Sequence, residues 1–510
     1  MNLTSDPWIP AVRQNGESVL RSLQDLFSQA HEIFDLAAKP HERIALMRLL
    51  VCITQAALDG PKDEAEWEEC RDLIQPRVKN YLEKWKSKFE LFGDGERFLQ
   101  VSNLTPGKVD DNGNPATKLD LSLATGNNPT LFDNSAGCMR TVTAARAALN
   151  LLTFQCFSPS GRIGVAKWNG RDTPGKGSSN HAPCVPSSML HTLLLGDTLL
   201  DTIHLNALTM ELVEDVYSVA GKPVWEQPPT ESSDQPALNN ASLSYLGRLV
   251  PLARCVRLTE DGTTIVLANG LDYPIFPSYR EATATIIKKD DKLALMPASI
   301  GRSLWRQLAP VTIRRRSSSD SISGPLALVH EVPFSEVALW VGALVADKGK
   351  IKDVVEAHYR IPRSMLDTPG RDAYERGIQY AESAEANLLK AVKEYASHAY
   401  DHKDASSAFD KARQQARQHF WTSAEQGLSE LFDVARDLTT DEGLPDSGWG
   451  KSIRAIALSA YQQFCPHQTP RQIQAYVLGL KRLKVLSKSK TTINKKGISH
   501  EQNKTQRARG

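Results

Sequence analysis

The sequence predicts an α+β protein: a large mixed α/β N-terminal domain over residues 1–367, a four-helix bundle over 368–487 and a basic tail over 488–510. Three observations carry this reading. Apolar residues recur with helical spacing from Tyr374 to about residue 485, interrupted only at turn-forming stretches. Short β-prone runs crowd the stretch from Gly247 to Val311. Two strongly apolar segments, 42–58 and 142–153, read as helices buried around most of their circumference.

Taken in order, WIPAV and ESVL near the N-terminus read as strands, and ERIALMRLLVCITQAAL (42–58) as the first buried helix. The acidic DEAEWEECRD after it reads as a solvated helix start. Turn-rich sequence continues through NGNP at 112–115, and the second apolar helix then leads into a glycine-rich segment. The β-prone region holds RLVPLARCVRL, TTIVLANG and ATATIIKKDDKLALMP. Within the last, IIKKDDKLAL reads as a hairpin with Lys288 and Lys289 at its tip. The adjacent arginines 314–316 follow, and residues 280–316 carry nine Lys/Arg against three Asp/Glu. Beyond TPG at 368–370 come helical segments at 374–396, 407–438, 449–464 and 470–486, with Phe409, Phe420, Trp421 and Phe432 as core. From Lys481 onward ten Lys/Arg face one Glu, and the tail beyond Lys488 is expected to be disordered.

Composition narrows the function class. Hydrophobic content of 41% and charged content of 24% are ordinary for a globular protein, and the net charge is only +2. A polyanion partner must therefore be inferred from where the charges sit. No apolar run approaches membrane-spanning length, and MNLTSDPWIP lacks the basic and apolar regions of a signal peptide, so a cytoplasmic protein is expected. Seven scattered cysteines with no C-x-x-C pair argue against a disulfide framework and a structural zinc, and no cofactor is expected.

The stretch 157–184, FSPSGRIGVAKWNGRDTPGKGSSNHAPC, is the most informative. Five glycines alternate with four cations (Arg162, Lys167, Arg171, Lys176) against Asp172 alone, a net +3. Glycine lets a backbone approach a ligand closely, and Lys and Arg suit phosphates, so the segment reads as a nucleic-acid-facing loop. A nucleotide-binding phosphate loop is the rival. GRDTPGKG (170–177) falls one residue short of that motif, and Pro183 and Pro186 break the helix that must follow.

In order, NLTSDPWIPAV, LLVCITQAA with KDEAEWE, the glycine-rich segment, NGLDYP, the lysine hairpin and a terminal helical bundle resemble the large-subunit family (CasA) of the type I-E CRISPR surveillance complex Cascade. The resemblance implies a non-catalytic DNA-recognition subunit, assembled with guide RNA and other Cascade subunits. It implies reading of a protospacer-adjacent motif in double-stranded target DNA from the minor groove, initiation of strand separation and recruitment of a helicase-nuclease, with no membrane role. Position by position, the family's glycine loop falls on Ser160, Gly161, Arg162, Ile163 and Gly164. Its motif-reading lysine falls on Lys288 or Lys289, and its groove-binding aromatic and asparagine on Phe132 and Asn134. Its strand-separating wedge falls on Asp347, Lys348 and Gly349, where Lys348 replaces the family's glutamine. Lys167, Arg171 and Lys176 are the expected phosphate contacts. Alternatives remain: Phe132 alone reads as core, Asn134 as a turn former, and the whole chain as a nucleic-acid-binding scaffold that reads no motif.

Overall fold

The structure, a computed structural model, describes residues 1–107, 113–123, 142–158, 163–175, 188–315, 322–331, 334–347, 350–401 and 405–483. Internal contacts divide the chain into two compact units, Met1–Asp367 and Thr368–Gly510.

In the first unit, β1 (Ile9–Arg13) and β2 (Ser18–Arg21) form a hairpin. After helix α1 (Leu23–Ser28), β3 (Ile33–Leu36) joins the other edge of β1. These are the strands anticipated from WIPAV and ESVL. Helix α2 (Pro40–Leu58) is buried at every position from Pro40 to Gln55, which is why its sequence has no polar face. The Glu42 carboxylate accepts the Lys39 N–H at 3.1 Å and so satisfies one donor at its start. Helix α3 (Glu64–Glu69) begins where Asp63 accepts the Glu66 N–H at 2.9 Å, and α4 (Ile74–Trp85) packs against α2.

The chain continues through β4 (Leu104–Pro106), β5 (Asn114–Pro115), α5 (Ala144–Phe157), β6 (Ala166–Trp168), β7 (Arg171–Asp172) and β8 (His191–Leu194). Helices α6 (Leu199–Leu205), α7 (Met210–Tyr217), α8 (Gln235–Leu243) and α9 (Tyr245–Leu249) follow. The β-prone region then supplies β9 (Arg254–Leu258), β10 (Thr264–Asn269), β11 (Ile286–Lys289) and β12 (Lys292–Leu295). After α10 (Leu308–Val311), two long strands, β13 (Glu336–Asp347) and β14 (Lys350–Pro362), form an antiparallel ribbon. The sheets run β4-β6-β7, β5-β10-β9, β14-β13-β8 and β11-β12. The long ribbon is absent from the sequence reading, because LWVGALV in β13 is buried without interruption and shows no period-two alternation.

At the centre of this unit a carboxylate, Glu281, lies between two arginines. Arg48 of α2 and Arg248 of α9 both ion-pair with it, the latter at 3.2 Å, and all three are almost fully buried. Arg48 Nε also donates to Leu249 O at 2.8 Å, and the Arg248 guanidinium sits 4.1 Å over the Tyr279 ring. Burial alone would push the Glu281 carboxyl up. Arg48 and Arg248, helped by His191, overcome it and hold the group down at about 2.

The second unit is helical: α11 (Thr368–Ala399), α12 (Ala405–Gln426), α13 (Leu428–Arg436), α14 (Gly448–Phe464) and α15 (Pro470–Leu483). Each of the other four packs on α11. The segment expected as one helix over 407–438 is two, parted at Gly427, where the backbone leaves helical geometry. Phe420, Trp421 and Phe432 are core, as expected, whereas Phe409, expected with them, is only half-buried. Gly479 lets α15 approach α11 closely, since a side-chain carbon there would lie 2.7 Å from Ala391 O. The basic tail lies outside the described residues.

The buried triad generates a stability prediction. Glu281→Gln leaves two buried cations facing a neutral amide and should cost about 3–5 kcal/mol in denaturant unfolding. Because the folded carboxyl sits below its ordinary value of 4.5, its contribution is fully present above that pH and is lost as pH falls toward about 2. The wild-type chain should therefore lose stability across that acid window more steeply than the Gln variant.

Candidate nucleic-acid interface

The lysine hairpin forms, with one change from the expectation. Lys289 pairs with Lys292 across β11 and β12, so Asp290 and Asp291 make the two-residue turn. Both have positive φ, 48° and 61°, the combination whose twist matches flanking strands and which Asp tolerates better than most residues. The tip is therefore acidic, and Lys288, Lys289 and Lys292 flank it on the strands. Lys288 Nζ lies 3.2 Å from Asp291 Oδ1, but the pair is 55% and 96% exposed. Such a contact is worth at most about 1 kcal/mol and leaves the lysine available.

What holds the hairpin is more informative than its tip. Its base is laced to β8 and the residues just before it: Thr192 N–H donates to Thr283 O at 2.9 Å, Leu190 N–H to Met296 O at 2.9 Å, and Ala298 N–H to Ser188 O at 2.7 Å. Ser188 also grips the far end of the long ribbon. Its hydroxyl donates to Ala346 O and accepts from Ala346 N–H, both at 2.8 Å. Ser188 thus ties the base of the lysine hairpin to the residue preceding Asp347, where β13 ends. The Glu281 triad continues into the same region, since His191 Nδ1 lies 2.8 Å from Thr283 Oγ1.

The glycine-rich segment is stapled at two points. Ser158, just past the end of α5, accepts from the buried Arg254 Nε at 2.9 Å. Arg254 reaches Asn269 Oδ1 at 3.3 Å, and Asn269 Nδ2 donates to Pro174 O at 2.6 Å. Burial lowers the Arg254 guanidinium to about 10, which leaves it cationic at neutral pH. Between the staples, β6 and β7 form a hairpin around Asn169 and Gly170, with φ 51° and 79°. This departs from the geometry of a phosphate loop, since Gly170 is a hairpin-turn residue and Arg171–Asp172 form strand β7, while the residues where a helix would have to follow lie outside the described residues. Around Gly164, no described atom lies within 4 Å of where a side-chain carbon would sit.

The family model for "CRISPR-associated protein Cse1 (CRISPR_cse1)" matches residues 2–460. The chain belongs to the Cse1 family. A CRISPR-associated protein CasA/Cse1 from Thermus thermophilus is 28% identical over 414 residues, covering 78% of each chain. The crystal structure of Thermobifida fusca Cse1 matches with a TM-score of 0.74 at 20% identity, covering 96% of this chain and 97% of that one. A chain of a structure described as a CRISPR RNA-guided surveillance complex matches with a TM-score of 0.69 at 18% identity, covering 96% and 99%.

Among the family residues expected from sequence, Lys288 and Lys289 lie on the hairpin, Ile163 and Gly164 lie in irregular backbone just before β6, and Asp347 ends β13. Phe132, Asn134, Ser160, Gly161, Arg162, Lys176, Lys348 and Gly349 lie outside the described residues. Lys167 and Arg171 are exposed, but the register pairs them with Asp172 and Trp168 respectively, which puts the two cations on opposite sheet faces. Of the adjacent arginines, Arg316 lies outside the described residues, and Arg314 and Arg315 are engaged within the protein. Arg314 pairs with Glu331 and donates to Val329 O at 3.1 Å, while Arg315 lies 3.7 Å from Asp215, and both are largely buried. Cys465, beside His467, is a buried thiol pushed up to about 12, which removes it as a nucleophile at neutral pH. Among the described residues no cluster of three or more His, Cys, Asp or Glu is arranged for a metal, and no helix is long and apolar enough to cross a membrane.

Sequence reasoning missed Ser188, Arg254 and Asn269, which position the elements through long-range hydrogen bonds. No local motif marks them. Ser188→Ala should leave both Ala346 groups without their partner, at a cost of about 1–3 kcal/mol. Hydrogen exchange at the Ala346 amide should rise at least roughly tenfold, while exchange in α11 stays unchanged.

Proposed function

We propose that this Cse1-family chain is the non-catalytic DNA-recognition subunit of a CRISPR RNA-guided surveillance complex. It reads a protospacer-adjacent motif in duplex DNA through the minor groove, starts strand separation and recruits a helicase-nuclease. The observation that carries this reading is the tie through Ser188, which couples the lysine hairpin to the end of the β13–β14 ribbon. A motif reader that opens DNA needs its reading element and its wedge held at a fixed offset, because strand separation must begin beside the motif. The described match to a chain of an RNA-guided surveillance complex supports the same assembly for this chain.

In this reading Lys288 and Lys289 donate to acceptors on the groove floor, where base information is sparse and small donors reach furthest. The glycines of 160–164 let the backbone come close to base edges, Arg162 offers a cation to a phosphate or base edge, and Phe132 and Asn134 complete the groove contact. Asp347, Lys348 and Gly349 act as the strand-separating wedge, with Lys348 holding phosphates of the displaced strand. Arg171, Lys167 and Lys176 contact backbone phosphates, and guide pairing supplies the remaining sequence specificity.

The test is duplex competition at fixed salt, using the chain assembled with guide RNA and its partner subunits. Lys288→Ala with Lys289→Ala should reduce preference for motif-bearing over scrambled flanks by roughly tenfold or more, with a much smaller effect on single strands. A uniform loss on both duplexes, with the salt slope falling by about two, would instead make the hairpin an electrostatic clamp on a scaffold that reads no motif. An unchanged preference removes the hairpin from motif reading.

A further inference from the structure

A cavity of about 270 Å³ lies beside the β6–β7 hairpin, away from the lysine hairpin's own strands. One wall is apolar and aromatic, built from Trp168, Trp225, Leu99, Pro228 and Pro229. Trp225 is fixed by its Nε1, which donates to Tyr81 Oη at 2.8 Å, and both indoles are almost fully buried although they line the cavity. At the exposed side, Asn103 Nδ2 donates to Asn169 Oδ1 at 3.1 Å, and Asn169 Nδ2 to Thr230 O at 3.3 Å. The cations that line it are already committed, Lys88 to Glu96 and Arg97 to Glu260. The less constrained cation stands outside: Arg171, 86% exposed, is the cross-strand partner of Trp168 and shares its sheet face. Its contact with Glu231, at 3.8 Å between two exposed groups, holds it weakly.

We propose that this cavity takes one unpaired nucleobase of a single-stranded nucleic acid, with Arg171 on the adjoining phosphate. Three features select this occupant. The volume is below the roughly 300–1,000 Å³ of sites for drug-sized ligands, and it suits a single ring system. The wall offers indoles and apolar side chains, and the mouth offers amide groups, which matches a flat heterocycle with a polar edge. The charge stands at the mouth and not inside, so a free nucleotide would leave its phosphate outside the cavity, whereas a strand passing over the mouth places a phosphate at Arg171. Aromatic walls with cations alongside are how single strands are held without sequence readout. The proposal rests on the reading of this chain as a nucleic-acid-binding subunit: once a duplex opens, unpaired bases need a place out of water.

The test uses the full chain with two probes, a short oligothymidylate and a same-length abasic strand, by fluorescence anisotropy at fixed salt. The base-bearing strand should bind roughly tenfold tighter or more. Ser102→Phe, which fills the cavity from a half-buried lining position, should bring that ratio close to one while leaving abasic binding unchanged. Thr230→Tyr, at the exposed mouth, asks the same question if Ser102→Phe does not fold. Arg171→Ala should weaken both probes equally and lower the salt slope by about one. Equal binding of the two probes by the wild-type chain, or a ratio that survives in the filled variants, overturns the proposal. Running the motif competition in parallel separates the two readings. A retained motif preference with no base-dependent strand binding defeats the cavity alone, and loss of both defeats the recognition reading beneath it.

Discussion

The first unit depends on one electrostatic constraint: a carboxylate taken fully out of water must be matched by the charges around it. Glu281 meets that condition only because α2 and α9 each bring an arginine to it. Neither helix can shift without leaving a buried charge unmatched, so their relative placement is fixed far more tightly than apolar packing alone would require. The segment that carries Glu281 runs directly into the lysine hairpin. Through Thr283 and His191 it also sets the edge of β8, on which the hairpin base is laced. A charge buried at the centre of the unit thereby determines where an exposed hairpin stands at its surface.

The architecture was legible where a single periodicity dominated. Helix α2 announces itself because seventeen residues from Glu42 carry hardly any polar face, and IIKKDDKLAL announces a hairpin because two β-prone runs enclose a charged turn. Strand β13 was illegible for the opposite reason: buried on both faces, it offers an apolar run that suits a strand or a core helix equally. The break at Gly427 escaped notice because helical spacing continues on both sides of it, so the register of apolar residues gives no sign that the backbone has paused.

The site was legible only in part, for a related reason. Local charge counting found the lysine hairpin, yet it also counted Arg314 and Arg315, whose acidic partners Glu331 and Asp215 come from other parts of the chain. A charge is available to a ligand only when folding brings no partner to it, and sequence proximity does not decide that. The turn in KKDD shows the same limit at short range. Which pair takes the tip depends on register and on the tolerance of Asp for positive φ, and this made the tip acidic. Ser188, Arg254 and Asn269 act wholly through long-range hydrogen bonds, so nothing in their neighbourhoods distinguishes them from any other serine, arginine or asparagine.

Ser188 has a further consequence, for the alphabet that evolution can use at its position. Its hydroxyl imitates a peptide group, giving to one side of Ala346 and taking from the other, while its own backbone sits at φ 68°. Glycine would accept that backbone and forfeit both bonds. Threonine would keep the oxygen, but its branched carbon is poorly tolerated at positive φ. Asparagine accepts the backbone but carries its polar atoms one bond further out. Few residues meet both demands, so the join between hairpin and ribbon has little room to drift: a substitution there changes the geometry of two surface elements at once, because this one residue is bonded to both.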